Sequence, residues 1–509
     1  MTVVLKINML NRSARAILSF LNELLLQLTK AFIALVIAPL IIANLGTNVF
    51  GAWKIIDRTT GFLSLGSFRP IELLPLSLAK DISNEDITYK QQQIGCTIAI
   101  LVLTLPIVLT LACLLFHFKN TFIPISTEIS DQVDLTLLIM LVYAVISPFF
   151  YVPRHIIKGM NMYYMRFGVS STTTAITALL QYAVVSHGYT LPWFSATLYF
   201  PMFAGAAIDC AILAKNIPTI IQLVWPSAIT TLLFFKKNLW MLLVDSCRCV
   251  FGMADLILIG LYFGVDATAI YSLTKTLVAF LFMPVHTLFS AALPGLGDLA
   301  GRKAQKTLLQ LRTEQINVAI FFSFIIGVIV MFFNAPFVQL WIDEKHFGGE
   351  ILSRWFIIAS IIETLAKVEA NYLDAFLNLK KQALCLAWAT MTYLGIIVFF
   401  EPVLAWNVVP IAQIISQILL IILSWTRLSD SLKSETSHLA RTVLRPLSIA
   451  IILGYSVSWV QLPAIKNWIE LFIQAFGIAT IAGIVSWFMI LQKNDRKTLI
   501  TRLLKTIGK

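Results

Sequence analysis

Apolar runs long enough to cross a bilayer recur from one end of this 509-residue chain to the other, and eight basic residues fall inside them or at their edges. A hydrocarbon core of about 30 Å takes roughly 20 residues of helix, and by that measure spans are predicted near 17–44, 50–78, 94–116, 133–153, 167–187, 192–214, 239–263, 267–297, 313–333, 351–377, 383–400, 402–425, 443–461 and 468–491. The expected fold class is therefore an all-α polytopic membrane protein with about 14 transmembrane helices. The embedded cations are Lys30, Lys54, Arg58, Arg69, Arg248, Lys275, Arg354 and Lys367. Each would cost about 2.5–3.5 kcal/mol at the centre of a lipid-facing helix, or roughly 20–28 kcal/mol together, which exceeds a domain's net stability. They must face protein or water.

Composition agrees. Hydrophobic residues make up 58% of the chain and charged residues 13%, with a mean hydropathy of +0.84, whereas an ordinary soluble protein carries about 25% charged residues. The formal charge of +12 follows from orientation. Nearly all loop cations fall on alternate loops, and only Lys119, Lys345 and Lys466 fall on the other side. That asymmetry predicts an even number of crossings with both termini cytoplasmic, and it removes any need for nucleic acid as a partner. Arg12 and Arg15 precede the first apolar run without a small-residue cleavage site after it, so an uncleaved first helix is expected. Cys96, Cys113, Cys210, Cys247, Cys249 and Cys385 fall within spans, where they read as small packing residues.

The chain also repeats. A shift of about 218 residues aligns Leu45-Gly46 with Phe263-Gly264, brings Lys30 opposite Arg248, and sets Pro75 beside Pro294 one position out of phase. Two parallel six-helix lobes are expected, 1–237 (helices 1–6) and 238–427 (helices 7–12), followed by 428–509, which holds helices 13–14 and a basic cytoplasmic tail.

At 100° per residue, Lys54, Arg58, Gly61, Leu65, Arg69 and Glu72 share one face of the second span, with Asp57 at its margin. Asp245, Arg248, Gly252 and Asp255 form a second stripe, and Glu363, Lys367 and Asp374 a third from which Glu369 turns away. Glu23, Gln27 and Lys30 on the first span, with Lys275 and His286 on the eighth, complete the set. Such stripes either pair cation with acid to hold helices together or line a wet cavity. Three cations on one face outnumber the acids beside them, which suits an anionic ligand such as a diphosphate. The expected substrate-binding cations are Lys30, Lys54, Arg58, Arg69, Arg248, Lys275 and Lys367. Asp57, Asp255 and Glu363 are the candidates for coupling to Na⁺ or H⁺. His286 is expected to be a satisfied buried histidine.

No G-x-x-x-x-G-K-[ST], no H-E-x-x-H and no pair of aspartates two apart occurs, and the loops near 117–132 and 334–350 are too short for a catalytic domain. The chain is expected to be no enzyme, with no catalytic residues, no metal and no cofactor beyond a coupling ion.

The run Ala254-Asp255-Leu256-Ile257-Leu258-Ile259-Gly260, then Phe263-Gly264, Ile270-Tyr271-Ser272, Pro284 and Leu293-Pro294, resembles the seventh-to-eighth helix pattern of polysaccharide (O-antigen repeat-unit) flippases in the multidrug/oligosaccharidyl-lipid/polysaccharide (MOP) superfamily. Pro39, Leu45-Gly46 and Phe50-Gly51-Ala52-Trp53 are similar to the same family's first-to-second helix pattern. The similarity spans about 17–430. It implies two lobes in a V-shaped, MATE-like arrangement that flip undecaprenyl-diphosphate-linked oligosaccharide across the bacterial inner membrane by alternating access. Membrane lipids, a polysaccharide polymerase and a chain-length regulator are the other partners it implies. Drug/cation antiporters and lipid II flippases of the same superfamily are the neighbouring readings, and a membrane polymerase or ligase is the rival from another class.

Overall fold

The computed structural model describes residues 12–80, 87–123, 129–222, 224–376, 379–432, 436–457, 459–460, 463–491 and 496. The structure is 91% helix, without a strand among the described residues. Helix is the natural answer to this sequence, because a lipid-facing segment must satisfy its backbone polar groups internally. Nine stretches of the described residues are long and apolar enough to cross a membrane, and two of these, Ala228–Gly301 and Lys380–Ser429, are far longer than one crossing. Large apolar side chains stay exposed around the helices, among them Leu103, Phe399 and Phe476. In water that surface would be an aggregation hazard; in a bilayer it is the solvent-facing side.

The residues divide into two units, Met1–Ala269 and Ile270–Lys509. In the first, α1 (Arg12–Leu45) and α2 (Thr47–Leu63) meet at Gly46, followed by α3 (Pro70–Lys80), α4 (Ile87–His117), α5 (Ser130–Gly159), α6 (Val169–Ser186) and α7 (Tyr199–Asn216). The helix α8 (Ala228–Ala291) is interrupted at Gly264. Gly46 has φ 91° and ψ 162°, and Gly264 has φ 87° and ψ 178°. The two glycines aligned by the sequence repeat thus share a backbone conformation open essentially to glycine alone.

The second expected span, 50–78, is two helices. Phe68 (φ 58°) and Arg69 (φ 42°) leave the helical region before Pro70, whose ring disfavours helical geometry in the residue ahead of it. Side chains cover the backbone freed there: Asn238 Nδ2 donates to the Phe68 carbonyl and Thr104 Oγ1 to that of Ser67, at 3.4 Å. The single polar face read from Lys54 to Glu72 is corrected accordingly, since the 100° register stops at Leu63. The fourth span shows the opposite departure. Expected to end at 153, it continues through Pro148 and Pro153 to Gly159, as transmembrane helices can when neighbours re-satisfy the freed carbonyls.

The first stretch of α8 runs antiparallel to α2 with little room between them. A Cβ on Gly51 would lie 1.9 Å from the Val265 carbonyl oxygen, one on Gly260 would lie 2.4 Å from Ile55 Cδ1, and one on Gly61 would lie 2.8 Å from Met253 Sδ. Small residues let helix backbones approach closely where lipid offers no hydrophobic drive. At the glycine end, Asn48, with its amide turned to donate, bonds both carboxylate oxygens of Asp266, at 2.9 Å to Oδ2.

The second unit contains the rest of α8, α9 (Leu293–Gly301), α10 (Gln305–Trp341), α11 (Glu350–Ala375), α12 (Leu379–Leu404), α13 (Val408–Leu432), α14 (Thr436–Val457) and α15 (Trp468–Met489). Its polar core is a network centred on a fully buried ion pair. Arg312 and Glu369 are both 0% exposed. Arg312 Nε donates to Glu369 Oε2 at 2.8 Å and its second terminal nitrogen to Oε1. The remaining one donates to Thr442 Oγ1 at 2.9 Å, and Trp425 Nε1 reaches Glu369 Oε1 at 2.9 Å. Four helices, α10, α11, α13 and α14, are joined through one ion pair. The basic tail expected at the C-terminus lies outside the described residues, Arg496 excepted.

Candidate functional site

Five helices of the first unit carry polar side chains into one cavity of about 550 Å³. Lys30 comes from α1, Asp57 and Arg58 from α2, and Tyr143, Tyr151 and Arg154 from α5. The rest of the lining is α6, which packs on α1, with Ser170, Thr173, Thr174 and Thr177, joined by Asp209 of α7 and by Arg166 from the turn ahead of α6. Lys30 is exposed there, and Arg58 is half-buried.

The charges are uneven. Arg166 and Asp209 are buried and form an ion pair, which Arg166 Nη1 extends to Ser170 Oγ at 3.0 Å. Arg154 instead donates to a phenol, Tyr163 Oη, at 3.0 Å. That hydroxyl lies 3.5 Å from Glu23 Oε2, while Glu23 also accepts from Gln27 at 3.0 Å. Arg58 forms no ion pair or hydrogen bond among the described residues, and its Nε is buried without an acceptor. Burying a guanidinium atom unpaired is unfavourable unless something else supplies the acceptor. Among the lining residues, four cations face two carboxylates, one of which Arg166 already occupies.

Sequence reasoning misses Arg154 and Arg166, because a fourth span that stops at Pro153 leaves both in a cytoplasmic loop. Their signal is Asp209, a lone acid in an otherwise apolar helix, which demands a cation from somewhere.

The other expected residues lie elsewhere. Lys54 sits with its ammonium 5.1 Å from the centre of the Phe50 ring. Arg69 is held by Glu72 at 3.1 Å and points its other terminal nitrogen at Cys249 Sγ, 3.5 Å away. On the first stretch of α8, Arg248 is exposed while Asp255 is buried, so that stripe is split between two environments.

In the second unit, Lys367 pairs with Glu363 at 2.8 Å, one helical turn away, and meets His286 Nδ1 at 2.9 Å. An ammonium can only donate, so Nδ1 accepts and Nε2–H is left to donate to Thr364 Oγ1 at 3.0 Å. His286 is thereby satisfied on both nitrogens as a neutral ring. Glu363 also accepts from Gln413 Nε2 at 3.1 Å, and the Lys275 ammonium lies 6.0 Å from the centre of the Phe356 ring. The structure thus gathers the expected residues into two groups. Lys30, Asp57 and Arg58 share the cavity of the first unit, while Glu363 and Lys367 meet in the second.

No protein-family model and no curated protein sequence matches the chain. Solved structures do. The MATE multidrug transporter DinF-BH has a TM-score of 0.63 at 15% identity, over 83% of this chain and 96% of that one. An inward-facing multidrug resistance MATE family transporter of the MOP superfamily has a TM-score of 0.62 at 13% identity, over 79% and 96%. The lipid II flippase MurJ, in an inward closed conformation, has a TM-score of 0.61 at 14% identity, over 92% and 97%. At such identities the likeness establishes the fold, that of MATE and MurJ transporters, for this multi-pass membrane protein.

Proposed function

We propose that this protein is a flippase that carries undecaprenyl-diphosphate-linked oligosaccharide repeat units across the bacterial cytoplasmic membrane for surface-polysaccharide assembly. Both termini would be cytoplasmic, and the fold's transporter relatives suggest alternating access as the mode of transport. The observation that supports this reading best is the excess of cations in the cavity. Arg58 has no acceptor among the described residues, Lys30 is open to the cavity, and Arg154 is answered by a phenol. A diphosphate supplies the missing acceptors and matches the planar donor fork of arginine. An exporter of organic cations would need the opposite balance, with carboxylates in excess. The lipid II flippase among the structural relatives, whose match takes in 92% of this chain, lends weight to a lipid-linked substrate.

The test is Arg58→Gln in cells that depend on this protein for surface polysaccharide. Lipid-linked oligosaccharide is expected to accumulate on the cytoplasmic leaflet while membrane protein levels stay normal. A charge-assisted hydrogen bond contributes about 1.5–3 kcal/mol, so translocation should fall by roughly one to two orders of magnitude. Wild-type translocation in that variant would remove the cavity from the mechanism.

A further inference from the structure

The α6 lining of the cavity has a hydrogen-bonding polarity of its own. Thr173 Oγ1 donates to the carbonyl of Val169 at 3.0 Å, Thr174 to that of Ser170 at 2.7 Å, and Thr177 to that of Thr173 at 2.8 Å. A hydroxyl owns a single hydrogen. Having spent it on its own helix, each of the three presents only acceptor lone pairs to the cavity that it lines. Ser170 Oγ already accepts from Arg166. On α5, Tyr143 and Tyr151 share one hydrogen bond, Oη to Oη at 2.6 Å. One phenolic hydrogen serves that bond and the other remains for a ligand.

An acceptor-only surface repels a phosphate and welcomes an O–H or N–H donor. The cations on α1, α2 and α5 do the reverse. The cavity therefore discriminates between the two ends of an amphoteric ligand, and it does so with fixed groups, because helical threonines have few rotamers.

We propose that Thr173, Thr174 and Thr177 of α6 form a sugar-reading wall, which accepts hydrogen bonds from the hydroxyls of the saccharide nearest the diphosphate. This assignment rests on the flippase reading above and adds to it an orientation. The diphosphate lies toward Lys30, Arg58 and Arg154, and the first sugar lies along α6. Each hydroxyl contact is worth roughly two- to tenfold in affinity, so two of them together give about tenfold or more.

The experiment measures binding of two probes to the purified full-length protein in lipid nanodiscs, undecaprenyl diphosphate and undecaprenyl-diphosphate N-acetylglucosamine. The wild type should hold the sugar-bearing probe about ten times more tightly. In Thr173→Val/Thr177→Val, which keeps the side-chain shape and deletes both acceptors, the ratio should fall close to one while affinity for undecaprenyl diphosphate is unchanged. Thr173→Ser/Thr177→Ser should restore the preference, which a loss of packing alone would not. Thr174→Val, at a half-buried position, gives a milder version should the double variant fail to fold. A ratio that survives the valine substitutions, or a wild type that ignores the sugar, overturns the assignment. Arg58→Gln separates the two claims: it should weaken both probes alike. If it weakens neither, the diphosphate reading fails, whatever the threonines do.

Discussion

Arg312→Met offers a direct measure of what holds the second unit together. The substitution removes three hydrogen bonds at once, two to Glu369 and one to Thr442. Glu369 is left fully buried, with the indole of Trp425 as its remaining partner in that network. Breaking a buried pair on one side costs about 3–5 kcal/mol, because an uncompensated charge stays behind. For a cooperative unit of this size each kcal/mol moves the midpoint by about 2–4 °C, so Tm should fall by roughly 6–20 °C. Thermal unfolding of the detergent-solubilised protein, followed by tryptophan fluorescence and by the surviving monodisperse fraction, reads that shift. The companion variant Arg312→Met/Glu369→Leu removes both charges and should recover most of the loss, since an apolar replacement of comparable volume avoids the desolvation penalty. A single variant within about 2 °C of wild type would refute the assumption that the pair is shielded from water. A double variant as unstable as the single one would show that packing, and not charge, carries the effect.

Further expectations concern the glycines. Gly46→Ala and Gly264→Ala each force a side chain into a backbone conformation at φ 91° and 87° and should lower stability by about 1–3 kcal/mol, whereas Gly252→Ala, in open helix, should be nearly silent in the same melt. Gly51→Ala places a methyl 1.9 Å from the Val265 carbonyl oxygen, so α2 and α8 must separate. Protein should still reach the membrane, but lipid-linked oligosaccharide should be trapped on the cytoplasmic leaflet; unimpaired translocation would mean that this close approach is dispensable.

Hydropathy makes the helical class legible, because each span must be apolar over a length fixed by the bilayer. The two glycine hinges are legible too, through the repeat and the short loops around Leu45-Gly46 and Phe263-Gly264. Side-chain partnership is not. The register of a stripe holds only while the helix is continuous, and the departure at Phe68 and Arg69 from helical geometry carries Arg69 to Glu72 and Cys249, away from Arg58. Prolines mislead in both directions: Pro70 follows a break inside an expected span, while Pro153 lies inside a helix expected to stop there. Arg154 and Arg166 are hidden by that second error, and with them half of the cavity's cations. Asp57 and Arg58 are found because they lie within an unbroken stretch of α2. Which hydroxyls line the cavity depends on how α6 is rotated, which a cluster of consecutive serines and threonines does not reveal.

Asn48 and Asp266 occupy the same position in the two copies of the repeat, yet they carry different side chains and bond to each other. Two ionised carboxylates at that separation would repel each other, so acids at both positions would leave one of them protonated. One of the two aligned positions carries the charge and the other a neutral amide, so the pair is held by a hydrogen bond that exchanging either residue for its counterpart would change.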